Sequence, residues 1–109
     1  MKPTGHLKEL PWCEFDEVEV EIRVLDSINI PRIDFAHIDV QGAEMAVLRG
    51  GRKIFQTTRA IWLEVANIPL YENQPLKKDI SQYLSLEGFR LAHDTARHLK
   101  YGDMLWVRR

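Results

Sequence analysis

The chain has one cysteine, Cys13, in 109 residues. A single cysteine excludes an internal disulfide framework and fits a reducing compartment. No basic neighbour or partner motif would activate its thiol. Nowhere do ~18 apolar residues run together, so no membrane-spanning helix is expected. The opening MKPTGHLKELPW has one early lysine but no apolar run behind it, unlike a secretory leader. Neither sign of charge is in excess, with 15 Lys and Arg against 16 Asp and Glu. That argues against a nucleic-acid-binding face and against an acidic solvating tail. Repeats, low-complexity tracts and linkers are absent as well. What these absences leave is a soluble, cytoplasmic chain of ordinary globular composition, 45% apolar and 28% charged, forming one small domain or part of a larger one.

Residues 1–17 show no period and are expected to be irregular. From Val18 to Val24, valine and isoleucine alternate with charged residues, the pattern of a strand with one wet face. Asp26-Ser27 offers an N-cap for a short helical turn, which Pro31 stops. Ile33–Val40 is apolar on both faces, as a strand covered by helices on both sides would be. Residues 42–48 suit a helix, interrupted by Gly50-Gly51, with one more turn over 52–56. Ala60–Val65 is a second buried strand, and 68–74 a loop. Pro75 fits a first helical position, Leu76, Ile80, Tyr83 and Leu84 follow at helical spacing, and Gly88 suits the left-handed residue after the helix. Arg90–His93 and Met104–Val107 close the chain as a hairpin. Alternating strands and helices predict an α/β fold with a mainly parallel sheet and a C-terminal antiparallel hairpin.

In open α/β sheets ligands bind beyond the carboxyl ends of the strands. Asp39 and Glu64 stand at two such ends, and neighbouring strands lie ~5 Å apart. Glu44, in the first turn of the intervening helix, can lean toward the same rim. Three carboxylates there can orient a hydroxyl, accept a proton or bind a divalent ion. Each also has a structural use. The helix dipole favours Glu44 near a helix start, and Asp39 can accept hydrogen bonds from orphan N–H groups. His37 suits a hydrogen-bonded core histidine. His93, Asp94 and His98 match no familiar zinc spacing.

The run IDFAHIDVQGAEMAVLRGG resembles the signature of the FkbM-type family of S-adenosylmethionine-dependent methyltransferases. RVLDSI before it, AIWLEVANIPLYENQPL after it and the tail GFRLAHD…GDMLWVRR agree in order, so the likeness covers 18–109. Gln41 stands where the family pattern has Glu. The resemblance implies methyl transfer from S-adenosylmethionine to a hydroxyl of a sugar or natural product. Asp39 would lie closest to the methyl, Asp39 and Gln41 at the cofactor, and Glu44 and Glu64 would complete a catalytic set without metal. Tyr71 and Gln74 would touch the substrate.

The glycine-rich loop that should follow the first strand of such an enzyme is missing. Gly50-Gly51 follows a helix instead, and residues 1–17 are too short for two further βα units. The expectation is therefore the C-terminal half, strands four to seven, of a Rossmann-type methyltransferase sheet. Such a half would bind the cofactor poorly alone. It would self-associate, or pair with a missing N-terminal half, along Ile33–Val40. The rival reading is a non-enzymatic remnant that serves as a scaffold or assembly subunit.

Overall fold

A computed structural model describes residues 19–69 and 73–109. The elements, in chain order, are β1 (Phe35–Ile38), α1 (Glu44–Gly50), α2 (Arg52–Phe55), β2 (Ala60–Ala66), α3 (Lys77–Leu86), β3 (Phe89–Asp94) and β4 (Tyr101–Arg108), preceded by a 3-10 turn at Leu25–Ser27. The four strands form one sheet in the order β1-β2-β4-β3. β1 and β2 are parallel neighbours, as expected. β4 runs antiparallel to both β2 and β3. The sheet is therefore mixed, with one parallel pair, and the expected mainly parallel sheet is corrected. The physical reason is the short β3–β4 connection. A hairpin reverses direction, and the returning strand inserts beside β2 rather than at the sheet's edge.

The two-residue period of β2 sorts its side chains. Ile61, Leu63 and Val65 are buried, whereas Trp62 and Glu64 between them are half-buried on the opposite face. The buried set joins Ile38, Met104 and Trp106 from the other strands and Met45, Leu48, Phe55, Ile80 and Leu84 from the helices in a single core cluster. The described helices thus cover one face of the sheet. The other face carries Phe35, Trp62, Leu105 and Val107, and Phe35 is 55% exposed. β1 is shorter than the expected Ile33–Val40, and only Ile38 of its residues is buried. The expectation of helices on both faces of this strand is not met among the described residues.

Residues 19–24 form no strand. Val20, Ile22 and Val24 are 73%, 90% and 59% exposed, and Val18 lies outside the described residues. Alternation alone does not make a strand, because the backbone N–H and C=O groups also need a ladder partner. Asp26 does cap a helix, but not the one that follows it. Its carboxylate accepts the N–H of Lys53 at 2.9 Å and of Ile54 at 3.1 Å, the first turn of α2. This fixes the 3-10 turn against the α1–α2 junction. There a side chain on Gly51 would come within 2.7 Å of both Leu25 and Phe55.

α3 begins at Lys77, two residues after Pro75, with the Asp79 carboxylate accepting the Leu76 N–H at 2.8 Å. It ends as its sequence predicts, with Gly88 in the left-handed region at φ 92°. Phe89 and Leu84 are both buried beside that turn.

Candidate functional site

The C-terminal end of β1 runs into a tight turn before α1. The Ala43 N–H donates to the Val40 carbonyl at 3.2 Å, with Gln41 at φ 50° and Gly42 at φ 95°. A turn with positive φ at both central residues matches the mirror-image type I geometry. Glycine adopts it freely, whereas glutamine is strained there.

Glu44 holds this turn in place. One carboxylate oxygen, Oε2, accepts the Val40 N–H at 2.9 Å, and Oε1 accepts the Gly42 N–H at 3.1 Å. The residue is 4% exposed. Desolvation pushes its carboxyl above the ordinary range, the N–H groups of Val40, Glu44 and Gly42 pull it back, and the charge of Asp39 adds a smaller upward push.

β1 and β2 pair in register up to Ile38 and Leu63. The next residues on each strand are Asp39 and Glu64, so both carboxylates leave the same end of the sheet. Asp39 is exposed and accepts a hydrogen bond from Gln41 Nε2 at 3.2 Å. A glutamate at position 41 would instead set a second negative charge beside Asp39. A small recess of about 10 Å³ lies alongside, lined by Gln41, Gly42, Glu44, Glu64, Val65, Ala66 and Gln74. That is room for about one water molecule. Tyr71 lies outside the described residues.

Asp103 joins these residues without any local mark in the sequence. It sits directly opposite Glu64 across the β2–β4 pair and is half-buried, which adds a fourth carboxylate to this end of the sheet. No motif marks it, and only the insertion of β4 beside β2 brings it there.

Other candidates find structural places. His37 is exposed on the open face of the sheet rather than in the core, because an edge strand with one covered face turns alternate residues outward. His93 stacks on Trp62 with ring centroids 6.2 Å apart. Asp94 is bound by Lys77 Nζ at 2.6 Å and by the Ala96 N–H at 2.8 Å. Burial pushes its carboxyl upward, but the Lys77 and Ala96 hydrogen bonds and the charges of Lys77 and Arg97 outweigh it and hold the group below the usual range. Among the described residues no group of three or more His, Cys, Asp or Glu side chains is placed to hold a metal ion, and no helix is long and apolar enough to cross a membrane.

The sequence profile of the FkbM methyltransferase domain matches residues 13–91. The chain belongs to the FkbM methyltransferase family. Within the matched region lie β1, the turn, α1 and β2, which build the carboxylate rim. This FkbM-family chain is also 38% identical over 110 residues to the 2-O-methyltransferase NoeI of Sinorhizobium fredii (strain NBRC 101917 / NGR234), an alignment that takes in 95% of the chain and 44% of the relative. The chain therefore spans less than half the length of the curated relative it matches. No solved structure matches it.

Proposed function

We infer that the chain is the acceptor-side part of an S-adenosylmethionine-dependent O-methyltransferase acting on a hydroxyl of a sugar or a natural product. The observation that carries the reading is the convergence of Asp39, Gln41, Glu44 and Glu64 at the end of the parallel β1–β2 pair, in a chain related to a 2-O-methyltransferase.

S-adenosylmethionine would supply the electrophilic methyl group. The residues of this chain would hold the acceptor and manage its proton. Asp39 is exposed and accepts a hydrogen bond from the neutral amide of Gln41, which leaves carboxylate lone pairs to accept a hydroxyl proton. Glu64 would orient the hydroxyl from the neighbouring strand, and Gln74 would bound the recess. Glu44 is a positioning residue in this reading, since both its oxygens hold the backbone of the turn. Fixing the hydroxyl in line with the methyl would supply much of the acceleration.

The recess of about 10 Å³ falls far below the roughly 300–1,000 Å³ of a ligand pocket. In this reading these residues would meet only the reacting end of the cofactor. The nucleoside would be held by a further part of the protein, seated as a cofactor-binding half on the outer edge of β1, which has no partner strand among the described residues.

The test is tritium transfer from labelled S-adenosylmethionine to sugar hydroxyls. It would use a chimera that joins this chain to the part of 2-O-methyltransferase NoeI that it does not span. Asp39→Asn should lower kcat by roughly 10²- to 10⁴-fold, the range of general-base removal, with correct folding checked by circular dichroism. A folded chimera that transfers methyl equally well with and without the Asp39→Asn substitution would overturn the assignment.

A further inference from the structure

The end of the sheet opposite the carboxylate rim is basic. An open groove of about 400 Å³ is lined by Arg32, Thr57, Arg59, Arg108 and Arg109, so four of its five lining residues are arginines. A second recess continues it, sharing Arg32 and Thr57 and adding Lys53. The chain as a whole has a net charge of −1, so overall composition does not account for the concentration of positive charge.

The fold explains how these residues meet. Asp34 precedes β1, and its carbonyl accepts the N–H groups of Arg59 and Ala60 at 2.9 and 3.1 Å. The Arg108 N–H donates to the Arg59 carbonyl at 2.8 Å. The approach to β1, the start of β2 and the end of β4 are thus tied side by side. Each carries an arginine at this point.

The arginines are not equivalent. Arg108 is structural: Nε donates to the Thr58 carbonyl at 3.0 Å, Nη1 to the Glu87 carbonyl at 3.1 Å and Nη2 to the Phe55 carbonyl, while its guanidinium lies 4.1 Å over the Phe89 ring. Arg32 pairs with Asp34 at 3.3 Å, both side chains being largely exposed. Asp26 lines the continuing recess, but its carboxylate is occupied by the α2 backbone. Arg59 and Arg109 are exposed, and no ion pair to either is found among the described residues.

Like charges gathered in one groove repel one another, and a bound anion relieves that repulsion. The planar fork of arginine matches phosphate oxygens in a bidentate way. A concavity of this volume suits a small molecule. We propose that this groove binds the phosphoryl group of a small soluble ligand, with Arg59 and Arg32 as its main contacts. The site is separate from the methyl-transfer rim and does not depend on that reading.

Heteronuclear NMR of the folded chain, titrated with inorganic phosphate and pyrophosphate at constant ionic strength, tests this. We expect saturable shifts concentrated at Thr57, Arg59, Ala60 and Arg109, with pyrophosphate the tighter ligand. The double variant Arg32→Ala, Arg59→Ala should weaken binding at least about ten-fold, the loss of two charge-assisted contacts. Asp34→Asn, which frees Arg32 from its ion pair, should tighten binding roughly two- to five-fold. This second variant keeps the test decisive if the double variant does not fold. Non-saturating shifts spread over basic residues in general, or an affinity that neither variant changes, would overturn the proposal. So would co-sedimentation with vesicles of phosphatidylglycerol and phosphatidylcholine in the absence of soluble phosphate binding, since the surface would then serve lipid headgroups.

Discussion

In the proposed function Glu44 shapes the site without entering its chemistry. It stands in the first turn of a helix, where the dipole favours a carboxylate. The structure gives it a more specific task, because it accepts two backbone N–H groups of the turn that aims Asp39 and Gln41. Truncation would leave the buried Gly42 N–H and the part-buried Val40 N–H unpaired, so Glu44→Ala should cost about 1–3 kcal/mol, measurable by urea denaturation. Its pH dependence has a definite sign. The folded pKa is raised above the ordinary 4.5 by desolvation, so the folded state holds this proton more tightly than the unfolded chain does. The proton-linked part of Glu44's contribution to stability is therefore full below 4.5 and is lost as pH rises through the raised value. Relative to Glu44→Gln, the wild type should lose stability as pH climbs through that window. A difference that stays flat would contradict the burial argument.

Gln41 offers a second test at this scale. Asparagine tolerates the left-handed region better than glutamine. Gln41→Asn should therefore stabilise the chain by about 0.5–1 kcal/mol, read as a higher Tm. The shorter amide would also lose its reach to Asp39.

Among the elements, those whose pattern carries its own partner were legible in the residues. AIWLEV reads as a buried strand and is a strand, buried on the helix-covered face and half-buried on the other. RLAH and MLWV read as a hairpin and pair as one, each strand running longer than expected. Gly88 ends its helix where its lack of a side chain permits. The alternation from Val18 to Val24 misleads because a strand is completed by a neighbour that no local pattern encodes. The bond from Asp26 to α2 spans 27 residues and is equally invisible locally. The same holds for the site. Asp39, Gln41, Glu44 and Glu64 were legible as strand-end and helix-start residues, whereas Asp103 depends on sheet order.

Two element-level tests follow. At the α1–α2 junction, Gly51→Ala would force a methyl within 2.7 Å of Leu25 and of the buried Phe55 ring. An overpacking cost of about 1–3 kcal/mol is expected, seen in denaturation midpoints. Between α3 and β3, Lys77 and Asp94 form a pair with side chains 18% and 10% exposed. Lys77→Ala should cost about 1–3 kcal/mol, below the figure for a fully buried pair because some solvent reaches both groups. The Asp94 pKa is lowered, so its stabilisation is present above the ordinary 3.8 and lost as pH falls through the lower folded value. The wild-type advantage over Lys77→Ala should accordingly shrink in acid.

At the scale of the molecule, charge is divided between the two ends of the sheet. Carboxylates gather where β1 and β2 end, and arginines where they begin. The sheet face bearing Phe35, Trp62 and Leu105 has no helix on it among the described residues, and β1 has no strand on its outer side there. An uncovered strand edge beside apolar side chains recruits further chain. We therefore expect concentration-dependent self-association in sedimentation velocity, suppressed by Phe35→Lys, and a monomer at all concentrations would count against that expectation. In the proposed function the rim is where the methyl donor and acceptor meet. The most direct test of this is an NMR titration of the chain with S-adenosylmethionine. The expected result is fast-exchange shifts confined to Gln41, Gly42, Ala43 and Glu64–Ala66, with a Kd in roughly the millimolar range, since only one end of the ligand would be held. Shifts that avoid the rim, or a low-micromolar Kd from this chain alone, would contradict it.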